Sequence, residues 1–427
     1  MNASRAAVPD RPESPSALGR TFRALDAAGV HWCVLRGETD VAEDGDVDIL
    51  VAPEDEAQLG RVLASERFLR LPSWGYGTHS FFLRPDERFE RWTKLDVVSE
   101  LAFGPGFGLR TDAGPACLAR RSRDRDRWVL HPDDRFWALL LHRLLDVGAF
   151  DDRTVAELRQ LHALARRDGP LALAVAAVAP PSWRPSRILD AVERGDIAEV
   201  GHDARSAIMR AWATRSPVET RWRIVAEHSW RAFARIGIAW RRRGIAVAML
   251  GPDGAGKSTL ATGLRDSFPL PVRSIYLAPF PATSGKETGP RGIGFARRMI
   301  RLWGGWVAGR GHVLRGRLVV FDRYPLDARI APRRTLGPAG RLRRWIVGHA
   351  CPPPELVLVL DVPGATAHAR KRELDPDTLE SERRAYRRLA ATVRSSAVLD
   401  ATRPPDEVRR EAAAIVWRAW IRRWRPR

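Results

Sequence analysis

The sequence predicts an α/β protein in which two α/β domains are joined by a helical region. Short apolar runs alternate with helical spacings near both ends of the chain, whereas the middle shows helical spacings alone. The length of 427 residues also exceeds what one ordinary core fills. We therefore expect a disordered N-terminus, an α/β domain, a helical region and a second α/β domain, with bounds at 1–15, 16–130, 131–243 and 244–427.

Composition indicates a soluble globular protein. Hydrophobic residues make up 44% of the chain, and the sequence lacks the run of about 18 apolar residues that a membrane span requires. Residues 1–5 lack the apolar segment of a secretory signal, so we expect a cytoplasmic protein. The three cysteines are widely spaced and fit neither a disulfide framework nor paired zinc ligands.

The net charge of +20 is of the size found in proteins that bind nucleic acid or an anionic membrane. Here the basic residues are spread along the whole chain, and only four of the 71 are lysines. We interpret most of the charge as an arginine bias. It favours a small anionic partner, disfavours nucleic acid and a membrane surface, and leaves a homodimer open.

In the first domain, the spacing of Leu18, Phe22 and Leu25 predicts a helix. A second helix is predicted from Pro53, because proline and acidic residues favour a first turn. Strands are predicted over 31–35, 46–51, 81–83 and 92–98. The middle region carries helical spacings from Phe136 to Val192, with one break at Pro180.

In the second domain, apolar runs predict strands over 245–250, 274–277, 318–321 and 356–360. These runs are apolar on both faces and alternate with helical segments. A parallel sheet covered by helices on both faces has this pattern.

The stretch GPDGAGKSTL (251–260) follows the first of these strands and precedes a predicted helix. Such a loop holds a triphosphate, because glycines let backbone N–H groups approach the phosphates. Lys257 would meet the β- and γ-phosphates, and Ser258 would bind Mg²⁺. The residues predicted to bind ATP here are Gly251, Asp253, Gly254, Ala255, Gly256, Lys257, Ser258 and Thr259.

Two later strands end in charged residues. Asp322 and Arg323 follow 318–321 and could polarise a Mg²⁺-bound water and hold an acceptor phosphate. An ordinary surface ion pair is the alternative interpretation. Arg370 and Arg372 lie in a basic helix after the next strand, where a solvated helix face is the alternative.

Taken in order, these pieces resemble the thymidylate kinase family of P-loop nucleotide kinases over about 245–420. The family's G-x-D-G-x-G-K-[ST]-T loop matches 251–259, and its D-R-[YH] strand end matches 322–324. Its L-D-V-P strand end with following arginines is similar to 360–372, and its D-A-[ST] turn is similar to 400–402.

The resemblance implies a kinase that uses ATP and Mg²⁺ on a nucleotide or sugar-type acceptor. Asp253 would accept a hydrogen bond from an acceptor hydroxyl, and Arg323 would hold the acceptor phosphate. Arg370 and Arg372 would reach the transferred phosphoryl group as lid residues, and Asp400 would lie near the adenine. The long segment 279–317 departs from the family pattern, so the acceptor stays open.

The first domain carries a second candidate site. Asp46 and Asp48 share one strand face, and Asp96 lies on another predicted strand, so the three acids could bind a divalent metal. Solvent-facing strand acids are the alternative. With the turn at Gly37 this pattern resembles the nucleotidyltransferase superfamily over 16–100, although Glu38 replaces a small residue, and a second catalytic activity stays open.

The sequence thus predicts an ATP- and Mg²⁺-dependent phosphotransferase with a nucleotidyltransferase-like domain that adds a second step, senses nucleotide or serves only as a scaffold. The competing hypothesis is a P-loop ATPase that binds nucleic acid or an anionic membrane surface. It rests on the basic, tryptophan-bearing end at 417–427, for which the simpler interpretation is a final helix packed on the domain.

Overall fold

The protein is mixed α/β in the computed structural model, which confirms the predicted fold class. The structure describes residues 17–36, 45–71, 79–104, 109–215, 222, 225, 244–280, 291–330 and 336–423. The predicted disordered segment 1–15 lies outside them. Two compact units divide the chain, the first within 1–86 and 91–234 and the second within 87–90 and 235–427. Among the helices in the described ranges, none is long and apolar enough to cross a membrane.

The strands of the first unit are β1 (Trp32–Arg36), β2 (Gly45–Val51), β3 (Leu69–Leu71), β4 (His79–Pro85), β5 (Trp92–Val98), β6 (Ala102–Phe103), β7 (Leu109–Arg110), β8 (Ser122–Asp124) and β9 (Arg127–Val129). Its helices are α1 (Ala17–Ala27), α2 (Glu56–Ser65), α3 (Gly114–Ala119), α4 (Pro132–Leu141), α5 (Asp152–His162), α6 (Pro170–Ala176), α7 (Pro185–Arg194) and α8 (Ile197–Arg215). Short 3-10 turns span Pro53–Asp55 and Pro181–Trp183, and a π-helical turn spans His142–Val147.

Seven strands of the first unit form one sheet in the order β3-β4-β5-β2-β1-β9-β8. Successive side chains of β1 point to opposite faces, as strand geometry requires. Trp32 and Val34 therefore pack with α1 and α2, whereas Cys33 and Leu35 share a core with the helices of the middle region. The middle region is helical as predicted within 132–215, and its helices cover one face of this sheet.

The strands of the second unit are β10 (Ile245–Leu250), β11 (Val272–Tyr276), β12 (Leu318–Asp322), β13 (Leu356–Asp361) and β14 (Ser396–Asp400). Its helices are α9 (Lys257–Ser267), α10 (Arg291–Leu314), α11 (Pro338–Gly348), α12 (Gly364–Arg370), α13 (Pro376–Thr392) and α14 (Pro405–Arg422), with a 3-10 turn over Pro325–Arg329.

The five strands of the second unit are all parallel, in the order β11-β12-β10-β13-β14. Ala246, Ala248 and Leu250 of β10 share a core with α10 and α13. The alternate residues Val247 and Met249 are fully buried on the opposite face, where α9 and α14 contact the sheet. Helices thus cover both faces.

The strand order creates a crevice at one end of β10. The chain leaves β12 on one side of β10 and re-enters the sheet as β13 on the other side. In open parallel sheets, ligands bind beyond the carboxyl ends of the strands where the order switches in this way. The glycine loop and Asp322 both follow strands that end at this edge.

Candidate functional site

The glycine loop joins β10 to α9 at the crevice. Gly254 has φ +82°, a left-handed conformation that glycine adopts without strain, and a side chain there would overlap the Ala367 carbonyl. By contrast, a Cβ on Gly256 would have no neighbour within 4 Å. Within the loop, Gly251 and Ala255 are buried, whereas Ser258 and Thr259 are exposed. The loop is therefore packed on one side and open on the other.

Lys257 begins α9 and is almost completely buried. Its Nζ donates hydrogen bonds to the carbonyls of Gly251, at 2.9 Å, and Pro252, at 2.8 Å. Burial, together with the nearby Arg323 cation, lowers the pKa of Lys257 to about 8. The ammonium group is thus desolvated and bound only by neutral carbonyls in these two contacts, so an anionic ligand would stabilise its charged form.

A groove of about 1240 Å³ opens beside the loop. Small-molecule pockets usually measure about 300–1,000 Å³, so this groove has room for two small ligands. Asp253, Gly254, Gly256, Lys257, Ser258 and Thr259 line it from the loop, and Asp322 and Arg323 line it from the end of β12. The structure therefore brings six of the predicted ATP-binding residues together with Asp322 and Arg323 in one cavity, whereas Gly251, Ala255 and Asp400 do not line it.

Arg323, which lines this groove, has an unusual backbone conformation. Its φ is +68°, a left-handed value that is strained for a residue with a side chain and that recurs at functional sites. Its guanidinium forms an ion pair with Asp253 and lies 3.5 Å from the Tyr386 hydroxyl. Arg323 thus pairs with Asp253 of the glycine loop. The alternative interpretation from the sequence was an ordinary surface ion pair.

Asp327 is a buried acid that sequence reasoning missed. Its Oδ1 accepts a hydrogen bond of 3.0 Å from the Tyr386 hydroxyl, and burial raises its pKa despite the nearby cations of Arg323 and Lys257. Burial alone would lower the pKa of Arg323, but Asp327, Tyr386 and Asp253 together raise it. Asp327 thus helps to keep Arg323 charged, whereas Arg323 offsets only part of the effect that burial has on the pKa of Asp327.

No sequence signal connected Tyr386 with Arg323, because Tyr386 lies on α13, more than sixty residues further along the chain. The arginines around Tyr386 had the pattern of a solvated helix face. Arg384 and Arg387 are exposed, as that interpretation expects, whereas Arg383 makes two contacts with the Asp361 carboxylate, at 2.7 and 3.1 Å.

The two predicted lid arginines differ in position. Arg370 ends α12, lines the groove and donates a hydrogen bond of 3.0 Å to the Ala401 carbonyl. Arg372 is exposed and does not line the groove, whereas its neighbour Lys371 does. The structure therefore places Arg370, but not Arg372, beside the other site residues.

Asp400 ends β14 and does not line the groove. Its carboxylate accepts hydrogen bonds from the backbone N–H of Thr402, at 3.0 Å, and from its hydroxyl, at 2.6 Å. These two hydrogen bonds lower the pKa of Asp400. The side chain stabilises the 400–402 turn in this way.

The far wall of the groove is basic and aromatic, and it was not predicted from the sequence. Phe280 lies between two cations, with its ring centroid 5.5 Å from the Arg298 guanidinium and 5.0 Å from that of Arg344. Arg343 also lines this wall. Part of the segment that could not be aligned with the kinase family, 281–290, lies outside the described residues.

The three acids of the first unit each contact a basic side chain. Lys94 Nζ lies 2.6 Å from Asp46, Arg36 Nε lies 3.0 Å from Asp48, and His79 Nδ1 lies 2.9 Å from Asp96. Residues 37–44, which include the predicted turn at Gly37 and Glu38, lie outside the described part of the chain.

The register between β2 and β5 sets Asp48 directly opposite Asp96. Burial is the main cause of a raised pKa at Asp48, and Asp96 adds to it. Even so, the described ranges contain no group of three or more His, Cys, Asp or Glu side chains arranged to hold a metal ion.

The last helix packs inward. Trp417 and Trp420 are buried, with ring centroids 5.1 Å apart, and residues 424–427 lie outside the described part. These two tryptophans are therefore core residues and offer no exposed stacking surface.

In sequence comparison the chain matches no protein-family model and no curated protein.

Proposed function

We propose that the second unit is an ATP- and Mg²⁺-dependent phosphotransferase acting on a small anionic acceptor of the nucleotide or sugar type. The observation that most strongly supports this function is the buried Lys257 ammonium group, which is held at the base of an open glycine loop by the carbonyls of Gly251 and Pro252. The size of the adjoining groove supports a second ligand beside the nucleotide.

The loop fits a triphosphate. It is packed against Ala367 at Gly254 but open at Gly256, which leaves space where phosphate oxygens could approach the backbone. Lys257 would hold the β- and γ-phosphates, and the exposed Ser258 hydroxyl would bind Mg²⁺. When bound, Mg²⁺ neutralises charge on the phosphates.

The remaining groove residues orient the acceptor. Arg323 presents a fixed cation, because Asp253 pairs with its guanidinium and the buried Asp327 helps to keep it charged. Arg298, Arg343 and Arg344 make the far wall cationic, which favours an acceptor that itself carries phosphate or another anionic group. Catalysis would then depend mainly on positioning and charge stabilisation.

For the first unit we keep the prediction of a nucleotidyltransferase-like role open. The opposition of Asp48 and Asp96 across two parallel strands supports metal binding, whereas the basic partner of each acid opposes it. The competing function, an ATPase that binds nucleic acid or a membrane surface, loses support because Trp417 and Trp420 are buried.

A screen of phosphate acceptors with labelled ATP tests the proposal. Nucleoside monophosphates, sugars and sugar phosphates are offered to the full chain, to Lys257→Ala and to Arg265→Ala, an exposed cation on the same helix. We expect transfer to one acceptor class, lost in Lys257→Ala and retained in Arg265→Ala. ATP hydrolysis that requires DNA, RNA or anionic vesicles, with no transfer to any acceptor, would support the competing function instead.

A further inference from the structure

Arg344 of α11 is a half-buried cation whose donors are only partly satisfied. Its Nη2 donates a hydrogen bond of 2.8 Å to the Ile330 carbonyl. Its Nε is buried and has no hydrogen-bond partner among the residues that the structure describes. A charged donor that is buried without a partner is costly. Since Arg344 lines the groove, the oxygens of an anionic ligand there could bind its guanidinium.

The surroundings of Arg344 balance its charge only in part. Burial lowers the pKa of Arg344, and the nearby Tyr386 and Asp327 offset some of this effect. Asp327 also acts on Arg323, whose pKa it raises, so Arg344 does not have this carboxylate to itself. A guanidinium nevertheless stays charged at every physiological pH. An anionic ligand would therefore stabilise the charge of Arg344 further.

Two further arginines belong to the same side of the groove. Arg298 of α10 and Arg343 of α11 line it together with Arg344, and we name these three residues the arginine wall. The guanidinium groups of Arg298 and Arg344 lie 5.5 and 5.0 Å from the ring centroid of Phe280. Like charges that are gathered at one place repel each other, and an anion bound among them would remove this repulsion.

The arginine wall and Arg323 reach the groove from different elements. Arg323 follows β12, and its guanidinium pairs with Asp253 of the glycine loop. The wall comes from α10 and α11 and contacts Phe280. The groove of about 1240 Å³ is larger than an ordinary pocket for one small ligand. Arg323 and the wall can therefore hold different groups of one acceptor.

We propose that the arginine wall binds a second anionic group of the acceptor, so that the acceptor is a small molecule with a phosphate or carboxylate at each end, such as a sugar bisphosphate. This inference rests on the phosphotransferase function proposed above, in which Arg323 holds the group nearer the ATP. Guanidinium groups bind phosphate and carboxylate through two parallel hydrogen bonds. An uncharged base in the same place would leave the charges of the wall unpaired in a partly buried environment.

Calorimetric titration of the full chain tests this proposal without requiring turnover. The probes are ribose 5-phosphate, ribose 1,5-bisphosphate and thymidine 5′-monophosphate, each added in the presence of ADP and Mg²⁺ to fill the glycine loop. We expect the bisphosphate to bind at least about tenfold more tightly than either monophosphate, because only the bisphosphate offers charged hydrogen-bond acceptors to both Arg323 and the wall.

Three variants assign this preference to the wall. Arg344→Met should reduce it to about twofold or less, because the cation that is least satisfied by the protein is removed. Arg341→Met is the matched control, since Arg341 is exposed on the same helix and does not line the groove, and it should keep the full preference. Arg343→Met removes an exposed residue of the wall, so its effect does not depend on folding. It should lower the preference at least about threefold.

Equal binding of the bisphosphate and ribose 5-phosphate would overturn the proposal, as would a preference that both Arg344→Met and Arg343→Met retain. Tighter binding of thymidine monophosphate than of the bisphosphate would assign the wall to a base instead. The acceptor screen judges the phosphotransferase function separately. Transfer to acceptors with one anionic group, without any preference for two, would keep that function and reject the second anion site. An Arg344-dependent preference without transfer to any acceptor would keep the anion site and reject the function.

Discussion

Arg323 donates a hydrogen bond from Nη2 to Oδ1 of Asp253, and this contact ties the end of β12 to the glycine loop. Both residues are predicted to meet the acceptor, and in the structure they contact each other. Ion pairing in a partly buried groove fixes the direction of both side chains. An acceptor that binds Arg323 would therefore find it already oriented.

Asp253→Asn tests this orientation. The amide keeps the size of the side chain but removes the charge that holds Arg323. We expect kcat/KM for the acceptor to fall at least about tenfold, because positioning through a charged hydrogen bond is lost. ATP affinity should fall by less than kcat/KM for the acceptor does, since Lys257 donates to backbone carbonyls and not to Asp253 in the two contacts described above.

Steady-state kinetics with the acceptor identified by the screen would measure the changes in kcat/KM for the acceptor and in ATP affinity. Asp266→Asn, an exposed acid on α9, serves as the control and should leave both parameters unchanged. Equal losses in ATP affinity and acceptor use would contradict a positioning role for Asp253.

The lowered pKa of Lys257 predicts proton uptake when ATP binds. With a pKa of about 8, the amine of the free protein is about half protonated at pH 8. Bound phosphates favour the ammonium form and raise this pKa, so binding at pH 8 should take up roughly half a proton. Above pH 8, ATP affinity should fall, because the proton must be supplied from an increasingly alkaline solution.

Calorimetry in buffers of different ionisation enthalpy measures this uptake. Lys257→Arg is the matched variant, because its guanidinium stays charged at every pH tested. Its ATP binding should show no uptake at pH 8. Equal proton uptake in both proteins would show that Lys257 is not the group that takes up the proton.

Arg323, Asp327 and Tyr386 form a buried network whose members should depend on one another. Arg323→Met removes the cation that most lowers the pKa of the buried Asp327, so we expect a loss of about 3 kcal/mol in the free energy of unfolding. Asp327→Asn removes the buried charge. The double variant should therefore be more stable than the sum of the single losses predicts, by at least about 1 kcal/mol.

Thermal unfolding would measure these losses. ATP should raise the midpoint of the transition in which the second unit unfolds, which identifies that transition. Arg343→Met, which removes an exposed arginine of the same groove, should change stability by less than about 0.5 kcal/mol. Strict additivity of Arg323→Met and Asp327→Asn would show that the two charges do not interact.

Local patterns predicted much of the second unit. The runs over 318–321 and 356–360 became β12 and β13 to within one residue, because buried parallel strands are apolar on both faces. A helix over 259–268 was predicted after the glycine loop, and α9 begins two residues earlier, at Lys257. Strand β14 was not predicted, since Ser396 and Asp400 at its ends make the run short and only partly apolar.

Contacts between distant segments could not be predicted in this way. Tyr386 reaches Asp327 across 59 residues, and Phe280 meets cations from α10 and α11. Such pairings depend on how helices cross the sheet, for which hydrophobic periodicity carries no information. The pairing of Asp48 with Arg36 was missed for the same reason, although Asp48 lies on one predicted strand and Arg36 directly follows another.

The acids of the first unit give the last prediction. A metal ion that binds Asp46 must displace Lys94, whose contact with Asp46 is largely exposed. Exposed ion pairs contribute up to about 1 kcal/mol, which corresponds to roughly a fivefold change in affinity. We therefore expect Lys94→Met to strengthen Mn²⁺ binding roughly fivefold and Asp48→Asn to abolish it.

Electron paramagnetic resonance of free Mn²⁺ would measure both, in a Ser258→Ala background that removes the predicted metal ligand of the second unit. Unchanged Mn²⁺ affinity in Lys94→Met would mean that Asp46 is not a ligand, and unchanged affinity in Asp48→Asn would exclude the three-acid site as a whole.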